Sequence, residues 1–395
     1  MTPRETAVVV GASLGGLSAV RALREQGYDG RLVLIGEEPH LPYDRPPLSK
    51  GFLLGTVSRE KLVLADDAEL DTLAVERRFG EVATGLRAAD RAVLVGDEEI
   101  VADHVVLATG SRPRALRGAA PLPGVHLLRT IEDALALRDV LVPGVRLVIV
   151  GAGFIGSEVA GAARTLGADV TVVEMLDVPL SLALGEDMGA VCAALHAANG
   201  VTLRTGVGVT ALLGHDRVTG VELSDGSVLD ADLVLVSVGA APVTEWLEGS
   251  GLELDNGVVT DAHGLTSVPH VAAVGDVARP AGPWTAAPHR VEHWTNALEN
   301  PARTITALLG GDVDALAHPR APYFWSDQYG VMIQFAGHRE PGDPVRIVEG
   351  DPDSGSFVAV YDHGDQVSAV IAMNAGRSFN KLRRQLLPRH GEVPA

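Results

Sequence analysis

"VRLVIVGAGFIG", residues 145–156, is a run of apolar residues that breaks into glycines and then resumes with a helical pattern. An almost unbroken apolar run is the pattern of a strand buried on both faces. Gly151, Gly153 and Gly156 follow it at the spacing G-x-G-x-x-G. In such a unit the first glycine makes a tight turn and the second lets the backbone approach a pyrophosphate. The third lets helix pack on strand, and the helix N-terminus favours the anion. The next strand, ADVTVVE, ends in Glu174. A carboxylate roughly 20 residues past the glycines accepts ribose hydroxyls.

Working outward, the chain repeats the unit. VVVGASLGGL, residues 8–17, carries Gly11, Ser13 and Gly16, with serine where the second glycine would stand. Its second strand, GRLVLIGEE, ends in Glu37 and Glu38. Two units predict two dinucleotides, and a protein holding a flavin and a nicotinamide can pass a hydride between them. Three more strands end in loops of the kind that meets ligands at the carboxyl edge of a parallel sheet. They are DHVVLATGSRPR with Thr109 and Gly110, ADLVLVSVGAAPV with Gly239, and VPHVAAVGDVA with Gly275 and Asp276. From about 318 onward, apolar and polar residues alternate between Gly, Asp and Asn turns, which predicts an antiparallel sheet. The expected fold class is α/β, with two Rossmann-like dinucleotide-binding domains and a C-terminal α+β domain.

Composition narrows the function. The chain has 395 residues and a formal net charge of −19, which argues against a broad nucleic-acid surface. The single cysteine, Cys192, excludes a CxxC redox pair and a multi-cysteine metal site; it reads as core of a helix. No metal site is expected. No apolar run reaches the length of a membrane span, and no signal sequence precedes the first strand, so a cytoplasmic protein is expected. Glu174 repels a 2′-phosphate, and Met175, Leu176 and Asp177 offer no arginine to receive one, so NADH is expected over NADPH.

HLPYDRPPLSK (40–50), VIVGAGFIGSE, AAVGDVA, VEHWTNALE and YFWSDQYG occur in an order that resembles the FAD-dependent, NADH-using ferredoxin reductases that serve oxygenases. The resemblance covers essentially the whole chain. It implies a glutathione-reductase-like fold with FAD in 1–112 and 241–317, NAD in 113–240, and an interface domain over 318–395. It implies electron transfer from NADH through FAD to a ferredoxin, and from there to a cytochrome P450 or Rieske oxygenase. The first glycine turn then belongs to FAD and the second to NAD.

By the same resemblance Arg45 contacts FAD phosphate or ribose, and Lys50 lies beside the reactive edge of the isoalloxazine. Glu158, expected in the first helical turn, pairs with Lys50. Asp276 bonds the ribityl chain, Val82 touches the adenine side and Arg129 the pyrophosphate. Glu292, His293 and Trp294 stand where a helix N-terminus favours negative charge on the flavin. Trp325 falls at the family's aromatic beside the flavin, and also reads as part of an aromatic core. Arg377, Lys381 and Arg384 lie at helical spacing, with Arg383 and Arg389 nearby and Arg303 on an earlier helix. They read either as a rim that steers an acidic partner or as cations complementing a helix end. Two other functions stay open: an NADH oxidase or small-quinone reductase without a protein partner, and an NADH-sensing flavoprotein resembling apoptosis-inducing factor.

Overall fold

Two parallel sheets that share the order of four strands underlie the doubled sequence pattern; the fifth strand comes last in the chain in one and first in the other. The computed structural model describes residues 5–116, 122–282, 284, 288–316 and 320–388. In the first sheet, Thr6–Val10 lies between Arg31–Gly36 and His104–Leu107, with Val75–Phe79 and Val271–Ala273 at the edges, and every pairing is parallel. In the second, Arg146–Val150 lies between Asp169–Val173 and Leu233–Val236, flanked by Thr202–Arg204 and Val125–His126, again all parallel.

The central strands of both sheets are buried on both faces, which is why they read as apolar runs without alternation. Ala7, Val9, Leu32 and Leu34 pack in one core with residues of the helices Leu14–Glu25 and Trp294–Leu308. Val8, Val10, Val33 and Ile35 belong to the core on the opposite face. Leu147, Ile149, Val170 and Leu235 likewise share a core with Val159, Ala160 and Ala163 of the helix Phe154–Thr165, while Val148, Val150 and Val234 face Val218 and Val221. Each fully buried aliphatic side chain contributes about 1.5–3 kcal/mol. Between the sheets, Ser111–Pro113 pairs antiparallel with Ala240–Pro242, so the outgoing and returning chain cross side by side.

The C-terminal sheet is antiparallel, in the order Tyr323–Gln328, Val331–Gly337, Gln366–Met373, Ser356–His363, Val345–Asp351. Its two faces are also both covered. Ile333, Phe335, Tyr361 and Ile371 pack on Leu184, Met188 and Cys192 of the helix Ser181–Ala198. Val358, Val360, Val370 and Ala372 pack on Phe379 of the helix Gly376–Arg383. Cys192 is therefore core, as expected, but a core shared with the C-terminal sheet; burial pushes its thiol up to about 12. Among the described residues no helix is long and apolar enough to cross a membrane. Arg389 lies outside the described residues.

Candidate active site

The first glycine turn leaves no room for a side chain at Gly11 or Gly16. Gly11 has φ +115°, and a Cβ at Gly16 would lie 1.8 Å from the Gly11 carbonyl oxygen. The helix that follows has no acid in its first turn, and the Ser13 side chain does not cap it. By contrast, the helix Ile131–Val140 is closed by a capping box from Thr130 and Asp133. The first-turn amides of Leu14–Glu25 are thus left for an external anion. Ser13 Oγ accepts from Arg45 Nε at 3.4 Å, so its own hydrogen stays free to donate.

Arg45 is held firmly: Nη2 donates to Glu38 Oε1 at 2.6 Å, and Nη1 to Tyr43 Oη at 3.0 Å and to the Arg129 carbonyl at 2.7 Å. Burial and the Arg45 charge both lower the Arg129 pKa. Two guanidiniums pressed together create a positive field that a pyrophosphate would neutralise. Of the two acids at the end of Arg31–Gly36, Glu38 makes the contact with Arg45, whereas Glu37 is exposed and makes no side-chain hydrogen bond among the described residues. Val82 is 50% exposed.

The second turn follows the same logic. Gly151 has φ +102°, and a Cβ on Gly153 would meet nothing within 4 Å, so the open space lies on the approach side. A Cβ on Gly156 would lie 2.2 Å from the Gly151 carbonyl oxygen. Glu174 is fixed by two amides, from Ala152 to Oε2 at 2.8 Å and from Leu176 to Oε1 at 2.9 Å. Each carboxylate oxygen keeps a lone pair for a hydroxyl. Met175 beside it is 74% exposed. Gly239, at φ +91°, also has open space around its Cα.

Between the two cradles lies a polar knot. Pro46 and Pro47 open the short turn Pro46–Ser49, which presents Lys50. Lys50 Nζ donates to Glu158 Oε2 at 2.7 Å and to the Pro46 carbonyl at 3.0 Å. Glu158 is the fifth residue of Phe154–Thr165, one turn deeper than expected, and is 6% exposed. Ser49 Oγ donates to the same carboxylate oxygen at 2.5 Å, Ser326 Oγ to Oε1 at 2.7 Å, and Gln328 Nε2 to Ser326 Oγ at 3.2 Å. Sequence reading missed Ser49, Ser326 and Gln328. Small polar residues on a turn and a strand carry no spacing signal.

The remaining candidates line up along two neighbouring elements. Ser111 Oγ donates to Asp276 Oδ2 at 3.0 Å, and Arg129 Nη2 lies 3.4 Å from the same oxygen. Thr109 Oγ1 donates to the Val243 carbonyl, and a Cβ on Gly110 would touch Arg129. Gly275 and Gly15 both approach Ala297 of the helix Trp294–Leu308. His293 precedes that helix; burial lowers its imidazole to about 4, and its Nδ1 has no hydrogen-bond partner among the described residues. It is neutral at physiological pH. Glu292 is exposed and paired with Arg290. Trp294 Nε1 donates to Asp44 Oδ1 at 2.7 Å, and its ring meets Trp325 edge-on at 5.8 Å. Trp325 stacks in turn on Tyr323, which lies under the Arg383 guanidinium. Arg377, Lys381 and Arg384 are exposed and form no ion pair among the described residues, whereas Arg303 donates to the Val313 carbonyl. One further grouping, Glu38, His40 and Glu132, has metal-ligand spacing, but Arg45 and Arg59 already donate into it.

Comparison with known proteins places this geometry among characterised chains. The family model described as pyridine nucleotide-disulphide oxidoreductase matches residues 5–300, and one described as reductase C-terminal matches 323–395. Rhodocoxin reductase of Rhodococcus erythropolis is 38% identical over 96% of this chain and 88% of its own length. The benzene 1,2-dioxygenase system ferredoxin–NAD(+) reductase subunit of Pseudomonas putida is also 38% identical, over 94% of this chain and 90% of its own. Among solved structures, the covalent putidaredoxin reductase–putidaredoxin complex matches with a TM-score of 0.93 and 32% identity, covering 98% of this chain and 94% of that one.

Proposed function

The chain belongs to the pyridine nucleotide-disulphide oxidoreductase family, and from that premise we propose that it is an NADH-dependent ferredoxin reductase. It passes electrons from NADH through FAD to a small iron–sulfur ferredoxin that feeds a cytochrome P450 or a Rieske-type oxygenase. One observation carries the choice of acceptor. Family members of the disulfide type relay electrons through a cysteine pair, and the only cysteine here is 1% exposed in the core under the C-terminal sheet. Electrons therefore leave for an external acceptor.

The residues divide the work by position. The turn Gly11–Gly16, Arg45, Arg129 and Asp276 would hold FAD, and the turn Gly151–Gly156 with Glu174 would hold NAD. FAD, when bound, takes a hydride from NADH and yields electrons one at a time. Lys50, held by Glu158 and the Pro46 carbonyl, places a fixed positive charge where negative charge develops during reduction. The neutral imidazole of His293 serves as a wall rather than as a proton donor. The tryptophan pair Trp294–Trp325 covers the partner side. The segments 1–112 with 241–317, 113–240 and 318–395 are the corresponding FAD, NAD and interface units; the ribbon pairing Ser111–Pro113 with Ala240–Pro242 supports the crossing points. A cytoplasmic location suits a consumer of NADH.

The test is anaerobic stopped-flow. NADH should bleach non-covalently bound FAD, and a [2Fe–2S] ferredoxin from the same cell should then reoxidise it within turnover. Release of FMN instead of FAD, or rapid consumption of oxygen with no acceleration by any ferredoxin, would sink the reading in favour of an oxidase.

A further inference from the structure

A proton has to leave this active site in every turnover. NADH gives up two electrons and a proton together, whereas ferredoxin accepts electrons alone; on the reading above, NADH and two oxidised ferredoxins yield NAD+, two reduced ferredoxins and one proton. We infer that this proton reaches water through the cleft behind the Lys50–Glu158 pair, by way of the Asp327 carboxylate.

The cleft has a volume of about 450 Å³. Lys50 and Glu158 line its inner end, and exposed Asn199 and Gly330 stand at its mouth. Glu158, Gly161, Ala162 and Thr165 all line it from one face of the helix Phe154–Thr165, at the spacing i, i+3, i+4, i+7. The glycine turn expected to receive NAD precedes that helix, so the cleft runs along the half of the helix remote from the turn. Gly161 keeps the passage narrow but clear: a Cβ there would press on the Tyr329 backbone at 3.1 Å.

The polar groups along the cleft differ in what they can do. Arg164 is permanently charged. Burial raises the Tyr329 hydroxyl well above its usual range, and that hydroxyl is already bonded to His196 Nδ1 at 2.7 Å. Asp327, alone among them, is a carboxylate that forms no hydrogen bond or ion pair among the described residues. Its carboxylate can take up and release a proton, and it lines the same cleft as the inner pair. Lys50 Nζ carries three hydrogens and no lone pair, so it takes up the released proton only as it yields one of its own to Glu158 Oε2 across the 2.7 Å bond. Glu158 passes it to water in the cleft, and Asp327 takes it from that water and releases it to bulk. No electron moves in these steps, and the pair returns to its starting charge.

The inference rests on the proposed reaction but is tested apart from it, with ferricyanide as a one-electron acceptor that carries no proton. NADH-reduced holoenzyme is mixed with ferricyanide in weak buffer containing phenol red. Asp327→Asn should slow proton appearance by roughly tenfold or more, and added imidazole should restore it. Thr165→Trp, which fills the cleft, should slow it similarly without rescue. A second readout needs no turnover. The chain has only three lysines, Lys50, Lys61 and Lys381. Cyanate should carbamylate Lys50 in the holoenzyme saturated with NAD+, and Thr165→Trp should protect it. Wild-type proton release in both variants, or equal labelling of Lys50 with the cleft open and filled, overturns the route. Failure of every ferredoxin as acceptor would instead overturn the assigned partner and leave the proton count with ferricyanide intact.

Discussion

Lys50 Nζ donates to Glu158 Oε2 and to the Pro46 carbonyl, with Ser49 Oγ at 3.4 Å, and these contacts hold its cation in place. Replacing it with methionine removes the charge while keeping the stem. Reduction of the flavin by NADH should slow roughly a hundredfold in Lys50→Met, the usual cost of one preorganised electrostatic group; stopped-flow bleaching measures it. A similar argument applies to Glu174, whose two oxygens are pinned by the Ala152 and Leu176 amides. Glu174→Ala with Met175→Arg removes a repulsive charge and supplies a phosphate partner. The ratio of kcat/KM for NADPH over NADH should rise roughly tenfold or more. A wild type that already prefers NADPH would overturn the role given to Glu174. At this scale the sequence was only partly legible. Lys50, Glu158 and Glu174 stand inside motifs whose geometry is stereotyped. Ser49, Ser326 and Gln328, which complete the hold on Glu158, come from separate stretches of chain, and nothing in their local context marks them. Glu38 rather than Glu37 reaches Arg45, a difference of one position at a strand end that spacing does not resolve.

The elements were read more completely, because burial on both faces writes itself into apolar runs and half-burial into alternation. Both parallel sheets and the C-terminal antiparallel sheet follow from those patterns. The helix Ser181–Ala198 did not emerge in full: Gly185, at φ +78°, interrupts its helical geometry, and only its later part reads as helix in the sequence. Trp294–Leu308 continues through Pro301. The element Ser181–Ala198 also sets a pH dependence. Its His196 is 1% exposed, and burial lowers the imidazole from 6.5 to about 4. Between those values the unfolded chain binds the extra proton, so stability is full above about 6.5 and declines as pH falls toward about 4. Thermal melts of the holoenzyme should show Tm falling through that window. His196→Gln, which carries no titrating proton, should fall less steeply; an identical slope would show that other groups set the acid response.

Across the whole molecule, a net charge of −19 surrounds a small basic face. Arg377, Lys381 and Arg384 project from the last described helix, whose partner Arg383 covers Tyr323 and, through it, Trp325. Charges of this kind act on encounter and weaken with salt. Lys381→Glu with Arg384→Glu should therefore raise the KM for ferredoxin several-fold and flatten its salt dependence, while flavin reduction by NADH keeps its rate. Loss of both half-reactions would mark a folding defect, and no effect on either would place docking elsewhere. Global organisation was legible because two glycine turns and a change of texture near 318 divide the chain; the shared core between Ser181–Ala198 and the C-terminal sheet was not, since contacts between distant segments leave no local pattern. The strand Tyr323–Gln328 spans the distance between the two half-reactions. Ser326 turns to Glu158, while Tyr323 and Trp325 turn to Trp294 and Arg383. Because neighbouring side chains of a strand point to opposite faces, natural drift or a designer can rewrite positions 323 and 325 to suit a new redox partner without disturbing the donor at 326. Insertion or loss of one residue between them would exchange the two faces, so this short stretch should tolerate substitution far better than changes in length.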